Sequence, residues 1–239
     1  MVIENADVAI LTFLTGFAGK CGWFDHLMNA MSRFDLVKGV AILCLFWYAW
    51  AQVEPDQSFR ERDERHERLV NVLIGSLLIG ALSRALQLLL NVHVRPLYSG
   101  LDLPFPMQPG GLAGLNTWNS FPSDHSMLFC ALSAGLWTVN RRVGTIAFIW
   151  SLMVIDFPRI YLGIHYPSDV AAGAILGILC MMGFLCLPLT RLNNLISGWR
   201  NAHQGAFMAI LFFVVDELAH LLEEFRGIAT GLGHFFHNT

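Results

Sequence analysis

Between positions 95 and 169 the sequence carries polar residues whose types suit one kind of chemistry. Arg95 and Arg159 present guanidinium groups, which match the oxygens of a phosphate with paired N–H donors. His125 and His165 can serve as a proton donor and a nucleophile, and Asp169, four residues past His165, can fix the tautomer of one ring. Ser123 stands where it would cap a helix starting near Asp124, so its hydroxyl and the first free N–H groups would face an anion together. Phosphoryl transfer depends mostly on positioning and on electrostatic stabilisation of equatorial oxygens, which such a ring of donors provides. Ligand type alone also allows a metal at His125, His165 and Asp169. The adjoining arginines favour phosphate chemistry, with no metal and no other cofactor expected.

The elements that must hold these residues are apolar helices. Of 239 residues, 55% are hydrophobic and 14% charged, with a mean hydropathy of +0.52. A soluble domain carries about 25% charged residues. The net charge of −3, from 15 basic and 18 acidic side chains, excludes a basic nucleic-acid binder. A bilayer core about 30 Å thick needs about 20 helical residues. Segments 69–91, 124–140, 143–162 and 168–190 meet that well, and 37–53 is shorter but densely apolar. Residues 206–215 are apolar only as far as Asp216 and Glu217, with Glu223 and Glu224 beyond, so this helix is expected at the interface or packed on the bundle. The prediction is an all-α, polytopic transmembrane helical bundle with five to six membrane helices.

Basic residues orient it. Arg60, Arg62, Arg65, Arg68, Arg141, Arg142, Arg191 and Arg200 all fall in connectors on one side, which the positive-inside rule makes cytoplasmic. The opposite connectors, 92–123 and 160–167, hold only Arg95, with Arg159 at a helix end. Lys20, Arg33 and Lys38 weaken this asymmetry without reversing it. Every residue of the phosphate set falls on the outward side. Ionisable groups at membrane depth are costly and by default functional.

Other features read more plainly. Cys21, Cys44, Cys130, Cys180 and Cys186 include no pair with metal-ligand spacing and read as small hydrophobes. The first twenty residues lack a basic start and carry Glu4 and Asp7, which predicts a retained helix at the membrane surface. In the connector 54–68, acidic residues nearly cancel the arginines, as in a solvated cytoplasmic turn. His203, His220, His234 and His237 have no motif partners and read as surface or packing residues. His93 either reaches the site or lies at the interface, and Trp118 and Tyr166 fit an aromatic belt. Ala171, Ala172, Gly173, Ala174 and Gly177 predict close helix packing. The long loop 97–122 is either a lid or lipid entrance, or a plain interfacial loop.

Three sequence patterns then carry a family resemblance. RIYLGIHYPSD, with Arg159, His165 and Asp169 spaced Arg-x5-His-x3-Asp, resembles the third signature of the type 2 phosphatidic acid phosphatase superfamily. FPSDHS (residues 121–126) resembles its second, Pro-Ser-Gly-His, and Arg95-Pro96 the end of its first, Lys-x6-Arg-Pro. Chance would produce the third pattern roughly 0.02 times in a chain of this composition. The resemblance covers residues 69–190 and implies a nucleophilic His165 that forms a phosphohistidine. It implies that Asp169 orients His165 and that His125 protonates the leaving oxygen. Arg95, Arg159 and Ser123 would hold the phosphoryl oxygens.

Three positions depart from the family pattern. The signature lysine would fall at Leu88. Arg84, one turn lower on the same helix face, either substitutes by snorkelling outward or forms a structural ion pair. Asp124 replaces a glycine; it adds charge beside the phosphate site, favours the helix start, or binds an arginine. Pro158 stands where serine is usual, with little consequence expected. The resulting expectation is an integral membrane phosphatase of the cytoplasmic (inner) membrane, multi-pass, with its site on the extracytoplasmic face. Its partners would be the bilayer and a lipid phosphate or diphosphate, undecaprenyl diphosphate first, and no nucleic acid. Residues 1–68 would form a surface helix, first span and connector, 69–190 the catalytic core, and 191–239 a C-terminal helix.

Overall fold

The structure is a computed structural model and describes residues 2–34, 36–53, 58–90, 92, 94–106 and 119–219. Trp118, His93, His220, His234, His237, Glu223 and Glu224, together with residues 107–118 of the loop 97–122, lie outside the described residues. Ten α-helices follow one another, with no strand among the described residues. Helices α1 (Val2–Thr15) and α2 (Gly22–Arg33) lead into a π-helical turn (Leu36–Val40) and α3 (Ala41–Ala51). The long α4 (Phe59–Leu89) is followed by a 3-10 turn (Pro96–Tyr98) and then α5 (Asp124–Val139). A continuous rod follows, built from α6 (Arg141–Trp150), a π-helical segment (Ser151–Asp156) and α7 (Phe157–Tyr161). Helices α8 (Pro167–Leu185), α9 (Thr190–Ala202) and α10 (Gln204–Ala219) complete the described chain.

Among the described residues, three helical runs are long and apolar enough to cross a membrane: α4, the rod Arg141–Tyr161, and α8. The bent pair α2–α3, turning through 78°, brings the count to four. That is below the five to six expected, because helix ends are set by local hydrogen bonds as well as by hydropathy. Helix α5 is capped by Ser123 and stopped at Asn140, whose side chain accepts from the N–H groups of Arg142 and Val143 and starts α6. That leaves α5 sixteen residues, about 24 Å. It is buried along most of its length, packed on α4, α6 and α8. Helix α10 packs on α3, α4 and the first π turn, the second of the two placements expected for it.

The connector 54–68 is not a turn throughout. Ser58 and Glu61 form a capping box, so α4 begins at Phe59 and takes up Arg60, Arg62, Arg65 and Arg68 in its first turns. Arg60 pairs with Glu64 at 3.0 Å, and Arg200 of α9 with Asp63 at 3.0 Å. Pro158 stands in the first turn of α7, just past the π segment that ends at Asp156, and having no N–H it makes no bond back to the preceding turn.

Helices in lipid gain little from hiding apolar surface and associate through close packing. The small-residue face of α8 supplies this at two points. A Cβ on Gly173 would lie 2.5 Å from the carbonyl oxygen of Ser123, and one on Gly177 2.1 Å from that of Met127. Glycine lets the α5 and α8 backbones touch there, just below the starts of both helices, while Ala171 faces outward. The N-terminal helices close the same end. Asp7 accepts from the Ser168 N–H (2.9 Å) and hydroxyl (2.5 Å), and Asp25 from the Tyr161 hydroxyl (2.5 Å).

Candidate active site

Four chain segments converge at the end of the bundle where α4 ends and α5 and α8 begin. Their arrangement follows from backbone groups that the helix ends leave unpaired. The Ser123 N–H donates to the carbonyl of Asp169 at 3.1 Å, joining the starts of α5 and α8. Asn119 donates to the carbonyl of Gln87 at 2.9 Å, and Gln87 donates back to that of Pro122 at 3.0 Å, tying α4 to the segment before α5. The Leu97 N–H donates to the Gly163 carbonyl at 2.9 Å, which brings Arg95 over the turn before α8. Gly163 adopts φ +73° under the ring of Phe105, a conformation and a clearance that suit glycine.

His165 is fully enclosed by these contacts. Its Nδ1 lies 2.9 Å from the Ser120 carbonyl oxygen and its Nε2 3.2 Å from Arg95 Nη1. A carbonyl only accepts, so Nδ1 carries the proton and the lone pair sits on Nε2. Arg95 Nη1 also donates to the Ile164 carbonyl at 3.0 Å. The Asp169 carboxylate is 3.7 Å from Nδ1, while its Oδ2 accepts from the Tyr166 N–H at 2.9 Å and caps α8. Orientation of the ring therefore rests first on Ser120, a residue that side-chain chemistry does not flag, with Asp169 supplying charge and holding the helix start. Burial lowers the His165 pKa from its ordinary value; Arg95 adds to this and Asp169 opposes it. Burial and Arg95 thus favour the neutral ring. Arg95 is itself drawn down by burial and by Arg84, and supported by Asp124 and Asp169.

His125 sits on the first turn of α5. Its Nδ1 is 2.8 Å from Asp124 Oδ1, which also accepts from the His125 N–H at 2.9 Å. Asp124, expected beside the phosphate, is thus engaged with the neighbouring ring, and a carboxylate has no proton to offer a phosphate oxygen. It fixes His125 with Nε2 turned away from Asp124. Arg159 is buried, donates to the Ile155 carbonyl at 3.2 Å, and lies near enough to His125 for its charge to act there. Lys38, which spacing arguments left outside the site, is buried in the first π turn and adds positive charge near the same ring.

At the end of α4, Leu88 is 71% exposed. Arg84 is half-buried, donates to Gln87 Oε1 at 2.9 Å, and is felt electrostatically at Arg95. Ser123 Oγ accepts from the N–H of Ser126 at 3.4 Å and from its hydroxyl at 3.0 Å. Ser126 Oγ in turn lies 2.6 Å from Asp156, a buried carboxylate outside all three sequence patterns. Among the described residues no group of three or more His, Cys, Asp or Glu side chains is placed to hold a metal ion.

The sequence pattern of the PAP2 superfamily matches residues 36–192. A Bacillus licheniformis protein described as bacitracin transport permease protein BcrC is 41% identical over 90 residues, covering 36% of this chain and 43% of that protein. The undecaprenyl-diphosphatase BcrC of Bacillus subtilis is 39% identical over 66 residues, 28% of this chain and 33% of the relative. The lipid A 1-diphosphate synthase of Escherichia coli is 32% identical over 73 residues, 30% and 31% respectively. The chain thus spans less than half the length of each of these curated relatives. No solved structure matches it.

Proposed function

The chain belongs to the PAP2 superfamily, and from that premise we propose that it is a membrane lipid phosphatase acting through a phosphohistidine, with undecaprenyl diphosphate as its leading substrate. The observation that carries this reading is the His165 ring, its proton held by Ser120 and its Nε2 lone pair 3.2 Å from Arg95. Nε2 attacks the terminal phosphorus, whose oxygens are held by Arg95, Arg159 and the hydroxyl of Ser123, with Arg84 adding charge from α4. The P–O bond to the leaving group breaks as His125 gives it a proton. Water then attacks the phosphohistidine, His125 takes a proton back, and inorganic phosphate leaves. The arginines supply the charge that a metal would otherwise provide, so chelators are expected to leave turnover intact. The relative described as an undecaprenyl-diphosphatase favours that substrate.

The basic residues in the first turns of α4 (Arg60, Arg62, Arg65 and Arg68) and those of α6 and α9 gather away from the site, which supports a cytoplasmic-membrane protein with an extracytoplasmic active site. Residues 69–190 hold the reacting groups. Residues 1–68 brace them, and residues 191–219 continue the bundle through α9 and α10. A second reading, transfer of the phosphoryl group to a lipid acceptor, is favoured by the relative described as a lipid A 1-diphosphate synthase. A third, lipid-phosphate binding or transport without catalysis, follows the relative described as a transport permease.

The test is phosphate release by detergent-purified protein from a panel of lipid phosphates and diphosphates, labelled on the terminal phosphate. Acid quenching should trap label on His165. His165→Ala should abolish release while the protein stays folded, and unchanged turnover in that variant rejects the mechanism. Label appearing on an added lipid acceptor selects the transfer reading, and tight binding without release selects the third.

A further inference from the structure

Asp156 has no place in the reaction just described, yet it ends a buried chain of hydroxyls that starts at the phosphate site. It is 2% exposed, and Ser126 and Ser123 are fully buried. Ser126 Oγ is 2.6 Å from Asp156 Oδ1 and stands as donor to Ser123 Oγ at 3.0 Å. Ser123 Oγ also receives the Ser126 N–H at 3.4 Å, so both its lone pairs are used inside the protein. Its own proton is then directed elsewhere, as a phosphate-binding hydroxyl requires.

A hydroxyl has one proton. Ser126 cannot donate to Ser123 and to an ionised Asp156 at once. If Asp156 is ionised, Ser126 donates to it, Ser123 turns to donate to Ser126, and the site loses its hydroxyl donor. If Asp156 is protonated, the chain runs the other way: Asp156 to Ser126, Ser126 to Ser123, Ser123 to a phosphate oxygen. We propose, resting on the phosphatase reading, that Asp156 is a positioning residue whose proton aims the Ser123 hydroxyl at the phosphoryl group. Binding of the phosphoryl oxyanion is thereby coupled to uptake of one proton at Asp156. The one covalent bond formed is the O–H of the Asp156 carboxyl, its proton drawn from the buffered solvent, and every other change is an exchange of hydrogen bonds.

The groups around Asp156 fit such coupling. Arg159, one turn along, acts on it electrostatically while the site is empty. A phosphoryl oxyanion held by Arg159 offsets that charge and favours the proton. On α5 the Cys130 thiol lies 4.0 Å from Oδ2, and His125 precedes Ser126. Lys38 comes from the first π turn. Helix α2 carries Asp25, bonded to Tyr161, with His26 and Arg33, and α6 carries Arg141 and Arg142 at the rod's other end.

The experiment measures tungstate binding to the purified full-length protein by tryptophan fluorescence between pH 6 and 9, a range in which tungstate keeps one charge state. In the wild type, affinity should fall by about tenfold toward high pH, the worth of one hydrogen bond to a charged group. Asp156→Asn, which removes the titrating carboxyl and can donate to Ser126 from its NH2, should bind as tightly as the wild type does at low pH, with that fall removed. Ser126→Ala, which cuts the chain, should bind weakly throughout and make Asp156→Asn silent in the double variant. The inference is overturned if Asp156→Asn keeps the wild-type pH slope or binds weakly at every pH, or if Ser126→Ala keeps the slope. Because the readout is binding, protein that shows the slope but releases no phosphate upholds this coupling and sinks the phosphatase reading instead.

Discussion

Gly177→Ala adds one methyl group where α8 rests on α5. A Cβ there would stand 2.1 Å from the Met127 carbonyl oxygen and 2.9 Å from its carbonyl carbon, against 3.4 Å for an ordinary contact. The backbones must separate by about 1.3 Å, since the obstacle is main chain and cannot rotate aside. Overpacking of this kind costs about 1–3 kcal/mol, which a bundle of this size tolerates without unfolding. The site is less tolerant. Gly177 lies eight residues beyond Asp169, about 12 Å along the axis, and the wedge opens the Ser123 N–H to Asp169 carbonyl bond (3.1 Å) that joins the two helix starts. A misplacement of about 1 Å between reacting groups can lower rate by about 100-fold. The expected result is therefore kcat/KM on undecaprenyl diphosphate reduced about 100-fold, with normal expression and a monodisperse elution profile. Gly183→Ala on the same helix is the control, because a Cβ there meets nothing within 4 Å. Activity of Gly177→Ala within twofold of the control would refute the claim that this close approach sets the site geometry.

Three more outcomes follow from named contacts. His165 must be neutral to attack, and its pKa is lowered by burial and Arg95, so the acid limb of kcat/KM should fall below about 6.5, the ordinary histidine value. Residual activity of Arg95→Gln should show that limb moved upward, which a pH titration of rate checks. Arg84→Ala should lower kcat/KM about tenfold or more, the worth of one hydrogen bond to a charged group, measured on the same substrate. Asp7→Ala should destabilise the protein by about 1 kcal/mol, the usual worth of a lost helix cap, seen as a lower Tm in detergent. Ser168→Ala in that background should add little.

Much of the site was legible because ionisable residues are few and their spacings survive in sequence. The triple Arg159, His165 and Asp169 spans one turn, the end of α7 before it and the start of α8 after it, so linear spacing and spatial proximity coincide. What spacing missed belongs to the backbone or to irregular helix. The acceptor for His165 is the carbonyl of Ser120, and no side chain announces it. Asp156 reaches Ser126 through a π segment that regular helical periodicity does not represent, and Lys38 enters the bundle through another. Helix counting by hydropathy overran for a related reason: Ser123 and Asn140 fix the length of α5 by capping, whatever the apolarity beyond them. The first turns of α4 were mistaken for a connector because solvated charge hid a capping box.

The brace at Asp7 has a practical consequence for anyone dissecting this molecule. The stretch that matches the family pattern, residues 36–192, leaves behind the carboxylate that receives both Ser168 donors from 161 positions away. Expressed alone, or exchanged into a relative to make a chimera, that stretch would carry every reacting group and still have an unfastened α8. Modularity here does not follow the boundary of sequence similarity: the smallest transplantable unit starts at α1.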